Sequence, residues 1–125
     1  MNTINAFGFY YYKAVVTDVY DGDSVTLDID LGFNSWLKNQ KVRLYGIDTP
    51  EIRGDERGDG LISKARLVEL IGGKEVVIES FKDKAGKYGR WIVTILLFDD
   101  SSGEPDWINI NQLLLNEGLA EVYLK

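Results

Sequence analysis

The chain has 125 residues, 45% of them hydrophobic and 27% charged, with a net charge of −6 and neither histidine nor cysteine. That length suits one domain around one core, and the missing residue types exclude disulfides, an ordinary zinc site, a Ser-His-Asp triad, a Cys-His pair and any histidine base. The acidic balance argues against simple electrostatic attachment to nucleic acid, which calls for a basic face, and leaves acid–base work to Asp, Glu, Lys, Tyr or metal-bound water.

Residues 1–8 read as a loose tail, and residues 9–125 as one domain. The first residues lack the basic start and apolar core of a signal peptide, so a cytoplasmic protein is expected. Phe9 to Tyr20 is rich in Tyr, Val and Ala and predicts a strand, closed by the turn signal Asp21-Gly22-Asp23. Val25, Leu27, Ile29 and Leu31 alternate with Thr26, Asp28 and Asp30, the period of a half-buried strand. Gly32 to Asn39 predicts a hairpin extension containing Phe33 and Trp36, and Gln40 to Ile47 a third strand. Pro50 to Gly60 reads as a polar loop. Leu61 to Ile71 predicts a helix with Leu61, Ile62, Ala65, Val68 and Ile71 toward one side, stopped by Gly72-Gly73.

Val76 to Phe81 and Arg90 to Phe98 predict the fourth and fifth strands, joined by a loop over Lys82 to Gly89. The apolar run Trp91 to Phe98 is interrupted by Thr94 and is far below the roughly 18 residues of a membrane span, so no membrane partner is expected. Asp99 to Asp106 is turn-rich; Asn111 is the expected N-cap of a short helix through Glu117, closed by Gly118. Val122 and Tyr123 are expected to pack back onto the core. Three strands, a helix, two strands and a helix describe a mainly β, α+β chain. They fit a small five-stranded barrel of the oligonucleotide/oligosaccharide-binding (OB) kind.

Three short segments carry the chemistry: Asp21-Gly22-Asp23-Ser24, then Arg43-Leu44-Tyr45-Gly46-Ile47-Asp48-Thr49-Pro50-Glu51, then Lys87-Tyr88-Gly89-Arg90. If the second and third strands pair, their ends bring the acids Asp21, Asp23, Asp48 and Glu51 together, and carboxylates of that number suit a hard cation held by oxygen. Each segment alone also reads as a plain turn or loop start. Arg43, on the face of its strand opposite Val42 and Leu44, and Arg90, opening the fifth strand, suit either salt bridges to these acids or a bidentate phosphate clamp.

Taken together and in order, the three segments resemble the motifs of the staphylococcal nuclease (thermonuclease-like) family, over a span from about Phe9 to Leu124. Asn116-Glu117-Gly118-Leu119-Ala120 is similar to the family's end-of-helix segment. The resemblance implies a calcium-dependent phosphodiesterase on the same barrel, cutting single-stranded or locally opened DNA or RNA with little sequence specificity. It implies one Ca2+ ion held by Asp23, Asp48 and the backbone carbonyl of Thr49, with Asp21 acting through water. Glu51 would position the attacking water or act as its general base. Arg43 and Arg90 would grip the scissile phosphate, and Lys87 and Tyr88 would contact the nucleotide's other phosphate. A monomer is expected.

The chain departs from the pattern in several places. It is acidic, and its hairpin around Trp36 is longer than in the smallest members. Trp36 could stack on a base, pack over the barrel or meet another subunit. The loop from Ile52 to Gly60 mixes both signs and could be a substrate-facing flap or a solvated loop. The chain stops at Lys125, before the family's usual third helix, and Tyr123 is given no role. Two other classes remain: a barrel that binds nucleic acid or protein without catalysis, and a calcium-binding interaction domain. Degenerate copies usually lose the arginines or the glutamate, and here all are in place.

Overall fold

A computed structural model describes residues 9–85 and 90–123. The expected tail at 1–8, and Lys87 and Tyr88 of the third motif, lie outside the described residues. The elements in chain order are β1 (Phe9–Asp21), β2 (Ser24–Gly32), β3 (Ser35–Leu44), β4 (Ile47–Asp48), a 3-10 turn (Gly54–Glu56) and α1 (Arg57–Ile71). They continue with β5 (Glu75–Ala85), β6 (Trp91–Asp99), β7 (Asp106–Asn109), α2 (Ile110–Asn116) and β8 (Glu121–Val122).

The main sheet runs β3-β2-β1-β5-β6-β7, and a further pairing of β3 with β6 closes the first five strands into a barrel. All its pairings are antiparallel except β3 with β6, which is parallel. Strand β6 gives one edge to β5 and divides the other. Its start (Trp91 to Val93) meets Val42 to Leu44 of β3, and its end (Leu96 to Asp99) meets β7. This is the expected OB-type barrel with two helices. Its interior is filled by Val16, Leu27, Val42, Leu44, Ile78 and Ile95; Leu67 and Ile71 of α1 and Ile110 and Leu114 of α2 join the same core. Each such side chain contributes about 1.5–3 kcal/mol on burial.

Several expectations change. The expected hairpin over Gly32–Asn39 is present, with strand on both sides of a turn made by Phe33 and Asn34, both at positive φ (56° and 59°). The third strand therefore begins at Ser35 and ends at Leu44. Gly46, at φ 79°, breaks the chain direction, and Ile47–Asp48 forms a separate short pair with β8. The expected loop Pro50 to Gly60 contains the 3-10 turn and the first turn of α1.

The buried stripe of α1 is Gly60, Ser63, Leu67 and Ile71; Leu61, Ile62 and Val68 are exposed, so the expected apolar face was misassigned. Strand β7 was not expected, and α2 is capped by Asn109, whose side chain accepts from the Gln112 N–H, rather than by Asn111. Asn111 is instead buried. Its Oδ1 accepts from the Ile95 N–H at 3.1 Å, and its amide nitrogen donates to the Tyr45 and Val93 carbonyls at 2.9 and 3.2 Å. Val122 and Tyr123 are exposed rather than returned to the core.

Candidate active site

The β1–β2 turn is tight because Asp21 pairs directly with Ser24. It is also pressed inward. A Cβ on Gly22 would stand 2.8 Å from Ser63 Cβ on α1 and 2.9 Å from the Thr49 side chain, so only glycine fits there without a shift. The Leu44 N–H donates to the Asp23 carbonyl at 2.8 Å, fixing the turn against the end of β3. Opposite the turn, Gly60 lies so close to the next segment that a Cβ would sit 2.1 Å from the Glu51 carbonyl oxygen. Helix α1 is thus the floor under both acidic motifs. Ser63 Oγ, donating to the Leu119 carbonyl at 2.8 Å, ties that floor to the segment after α2.

On this frame Asp23 is 4% exposed. Its Oδ1 accepts from Ser24 Oγ at 3.1 Å and its Oδ2 from the Thr49 N–H at 3.1 Å. Asp21 Oδ1 accepts from the Asp23 N–H at 3.1 Å. Burial raises the Asp23 carboxyl above the ordinary carboxylate range, and neighbouring Asp21 raises it further; Arg43 and the Thr49 N–H pull the other way. The charged form of this carboxylate is thus disfavoured chiefly by its loss of contact with water.

Arg43 reaches across the acids. One guanidinium nitrogen is 3.5 Å from Asp23 Oδ2; the other donates to Asp48 Oδ1 at 3.3 Å and to the Ile47 carbonyl at 3.1 Å. Its outer face lies 5.0 Å from the centre of the Tyr123 ring, a contact that β8 creates by pairing with β4 and that gives Tyr123 a place in the site. Arg90 donates to Ser24 Oγ at 3.1 Å, and Ser24 is the cross-strand partner of Arg43. Ser24 Oγ in turn donates to Asp23, so both guanidinium groups are tied to that carboxylate, Arg43 by facing it and Arg90 through one serine. The structure brings together Asp21, Asp23, Asp48, Thr49, Arg43 and Arg90. Ser24 and Tyr123 join them, and sequence reasoning had assigned neither. Ser24 sits inside a quoted motif, so strand register was the only missing signal.

Glu51 follows Asp48 by three residues. Its N–H donates to Glu56 Oε1 at 3.1 Å, and its carboxylate is exposed, without a hydrogen bond or ion pair among the described residues. A cleft of about 390 Å3 opens beside Asp48 and Thr49, with Glu56, Asp59 and Glu121 in its walls. One side of the Asp48 carboxylate is thus acidic and the other cationic.

Among the described residues no three acidic side chains stand close enough to form a ready-made metal cage. The donors at hand are the Asp23 and Asp48 carboxylates, both facing Arg43, and the Thr49 carbonyl is the third donor the family resemblance implies. An all-oxygen set of that size suits a hard cation that keeps several waters. The chemistry of these residues therefore fits a calcium-like ion.

The fold and this constellation define an OB-type barrel with an oxygen-donor site flanked by two arginines. Residues 41–125 match the family model described as staphylococcal nuclease homologue, and the chain belongs to that family of nucleases. It is 30% identical over 108 residues to proteins named uncharacterized endonuclease from Escherichia coli O157:H7 and from Escherichia coli, covering 86% of this chain and 59% of each relative. An uncharacterized protein of Methanocaldococcus jannaschii is 29% identical over 136 residues, covering 92% of this chain and 60% of the relative. The chain thus spans about three fifths of the length of these relatives.

Proposed function

We propose that the chain is a calcium-dependent nuclease that hydrolyses phosphodiester bonds of DNA or RNA. The observation that carries this reading is that Arg43 bridges the Asp23 and Asp48 carboxylates while Arg90 bonds Ser24, whose hydroxyl donates to Asp23. Asp23, Asp48 and the Thr49 carbonyl would hold the ion, with Asp21 acting through water. When bound, the ion supplies positive charge for the phosphate and an ordered shell of water.

The chain's own residues do the rest. Arg43 and Arg90 present fixed guanidinium forks to a phosphate, and their charge is worth most as negative charge builds on the equatorial oxygens. For Arg43 this requires exchanging its carboxylate partners for the phosphate, which would leave Asp23 and Asp48 available to hold the ion. Glu51, exposed three residues after Asp48, is free to accept a proton from the attacking water or to orient it. Lys87 and Tyr88 would hold a neighbouring phosphate.

Cleavage of single-stranded DNA and RNA, measured with calcium and with chelator, tests this reading. Arg43→Ala, Arg90→Ala and Glu51→Gln are each expected to lose at least about 10²-fold in rate, the usual cost of one transition-state donor, while remaining folded. Wild-type rates in all three would end it. One observation favours the second reading, a barrel that binds without cutting: Arg43 already satisfies two acids in the structure. Nucleic-acid binding with no cleavage at any divalent-ion concentration would favour that alternative.

A further inference from the structure

The β2–β3 hairpin is an arm that starts at the candidate site and runs away from it. Ser24 pairs with Arg43 at the root, Thr26 with Lys41, Asp30 with Trp36 and Gly32 with Ser35 near the tip. Between them Asp28 meets Lys38 and Asn39, a bulge marked by Asn39 at φ 55°. Alternation along β2 puts Ser24, Thr26, Asp28 and Asp30 on one face, because Val25, Leu27 and Ile29 point into the core. Arg43, Lys41, Lys38 and Trp36 therefore share that outer face. They lead from the arginine pair toward the tip over about 20 Å, at roughly 3.3 Å per residue.

The outer end of this row does nothing for the core. Trp36 is 44% exposed, and Lys38 Nζ stands 4.9 Å over its ring. Phe33 is fully exposed and held at φ 56°, a conformation that costs a bulky residue energy. The acids on this face are already occupied. Asp28 accepts from the Asn39 N–H at 2.9 Å and pairs with Lys38 at 3.5 Å, and Asp30 accepts from the Gly32 N–H at 2.8 Å. Lys41 is exposed and makes no ion pair among the described residues.

We propose that this outer face binds the strand of a single-stranded nucleic acid beyond the scissile phosphate, with Lys41 on the backbone and Trp36 as a stacking platform for a base. The proposal rests on the nuclease reading and extends it to a substrate of several nucleotides. About 20 Å corresponds to roughly six stacked nucleotides at ~3.4 Å each. An unpaired lysine followed by an exposed aromatic offers a single strand one backbone contact and one stacking face, neither of which depends on sequence.

The test compares a dinucleotide with an oligothymidylate dodecamer, by cleavage kinetics and, in a Glu51→Gln background with calcium, by fluorescence anisotropy of the labelled dodecamer. Trp36→Ala should weaken dodecamer binding and raise its KM about 5- to 100-fold, leaving dinucleotide cleavage and kcat unchanged; Trp36→Phe should restore most of the loss. Lys41→Ala should lower the salt slope of dodecamer binding by about 0.7. Unchanged dodecamer affinity in Trp36→Ala would overturn the proposal. So would an equal loss for both substrates, or concentration-dependent dimerisation abolished by Trp36→Ala with oligonucleotide binding intact. If the wild type cuts neither substrate, the nuclease reading fails by itself, and the anisotropy still decides the arm.

Discussion

Gly60→Ala isolates the role of α1 as the floor of the site. The added Cβ would stand 2.1 Å from the Glu51 carbonyl oxygen, 2.5 Å from its carbon and 2.9 Å from the Ile52 nitrogen. All three are backbone atoms, so no side chain can swing away. Contacts under 3.0 Å do not persist, so the segment carrying Glu51 must move by about 1 Å. Overpacking of this kind costs about 1–3 kcal/mol, against a gain of up to about 1 kcal/mol from replacing a helical glycine by alanine. The net expectation is a loss of up to about 2 kcal/mol in urea unfolding. A displacement of about 1 Å at a catalytic group can cost about 10²-fold, so cleavage should fall far more than stability. Gly58→Ala, two residues earlier in α1 with open space around its Cβ, is the control and should be neutral or slightly stabilising. Equal stability and equal cleavage rates in the two variants would refute the argument.

Calcium at 100 times its Kd should stabilise the protein by about 2.7 kcal/mol in urea or thermal unfolding, and Asp23→Asn should abolish that increment; an increment that survives would remove Asp23 from the ion site. Asn111→Ala should destabilise by about 2–4 kcal/mol, because it strips partners from the Ile95 N–H and the Tyr45 and Val93 carbonyls where β3 and β6 part; a loss under 1 kcal/mol would mean that water replaces them. The Arg66 guanidinium, bonded to Glu117 at 2.7 and 2.8 Å, holds the Glu117 carboxyl below its ordinary 4.5. A lowered folded-state value means that this tie between α1 and the end of α2 contributes fully above the ordinary carboxylate range and is lost as pH falls through the lowered value. Glu117→Gln should therefore flatten the stability–pH curve on the acid side of the ordinary carboxylate range, by a small amount because the pair is exposed.

The strands were legible because half-buried strands write their period of two into the sequence. Val25-Leu27-Ile29 and Val42-Leu44 each point the way they alternate, and Asp-Gly-Asp announces its turn. The polar motifs were legible for a related reason, since they sit at strand ends where register brings them together. The face of α1 was not. Its buried positions include Gly60 and Ser63, selected for closeness to the Glu51 backbone and the β1–β2 turn rather than for hydrophobicity, while Leu61, Ile62 and Val68 stay outside. Periodicity detects apolar residues and is blind to a stripe chosen for small size. Strand β7 escaped because its three-residue core Trp107-Ile108-Asn109 gains its partner only where β6 extends past β3. Asn111 looked like a cap because asparagine suits caps; its bonds run to strands 16 to 66 positions away, which local chemistry cannot register.

By itself, the order of residues determined the class of barrel, the acids and arginines available, and the exclusion of histidine and cysteine chemistry. These depend on local pattern and on side-chain type. Tertiary structure decided which groups meet. Ser24 joins Arg90 to the carboxylate that Arg43 faces, Tyr123 covers Arg43 through the β4–β8 pair, and a glycine in a helix allows Glu51 to lie where it does. Such contacts arise from closure of the barrel and from the space left between backbones. Both are properties of the assembled chain rather than of any stretch within it.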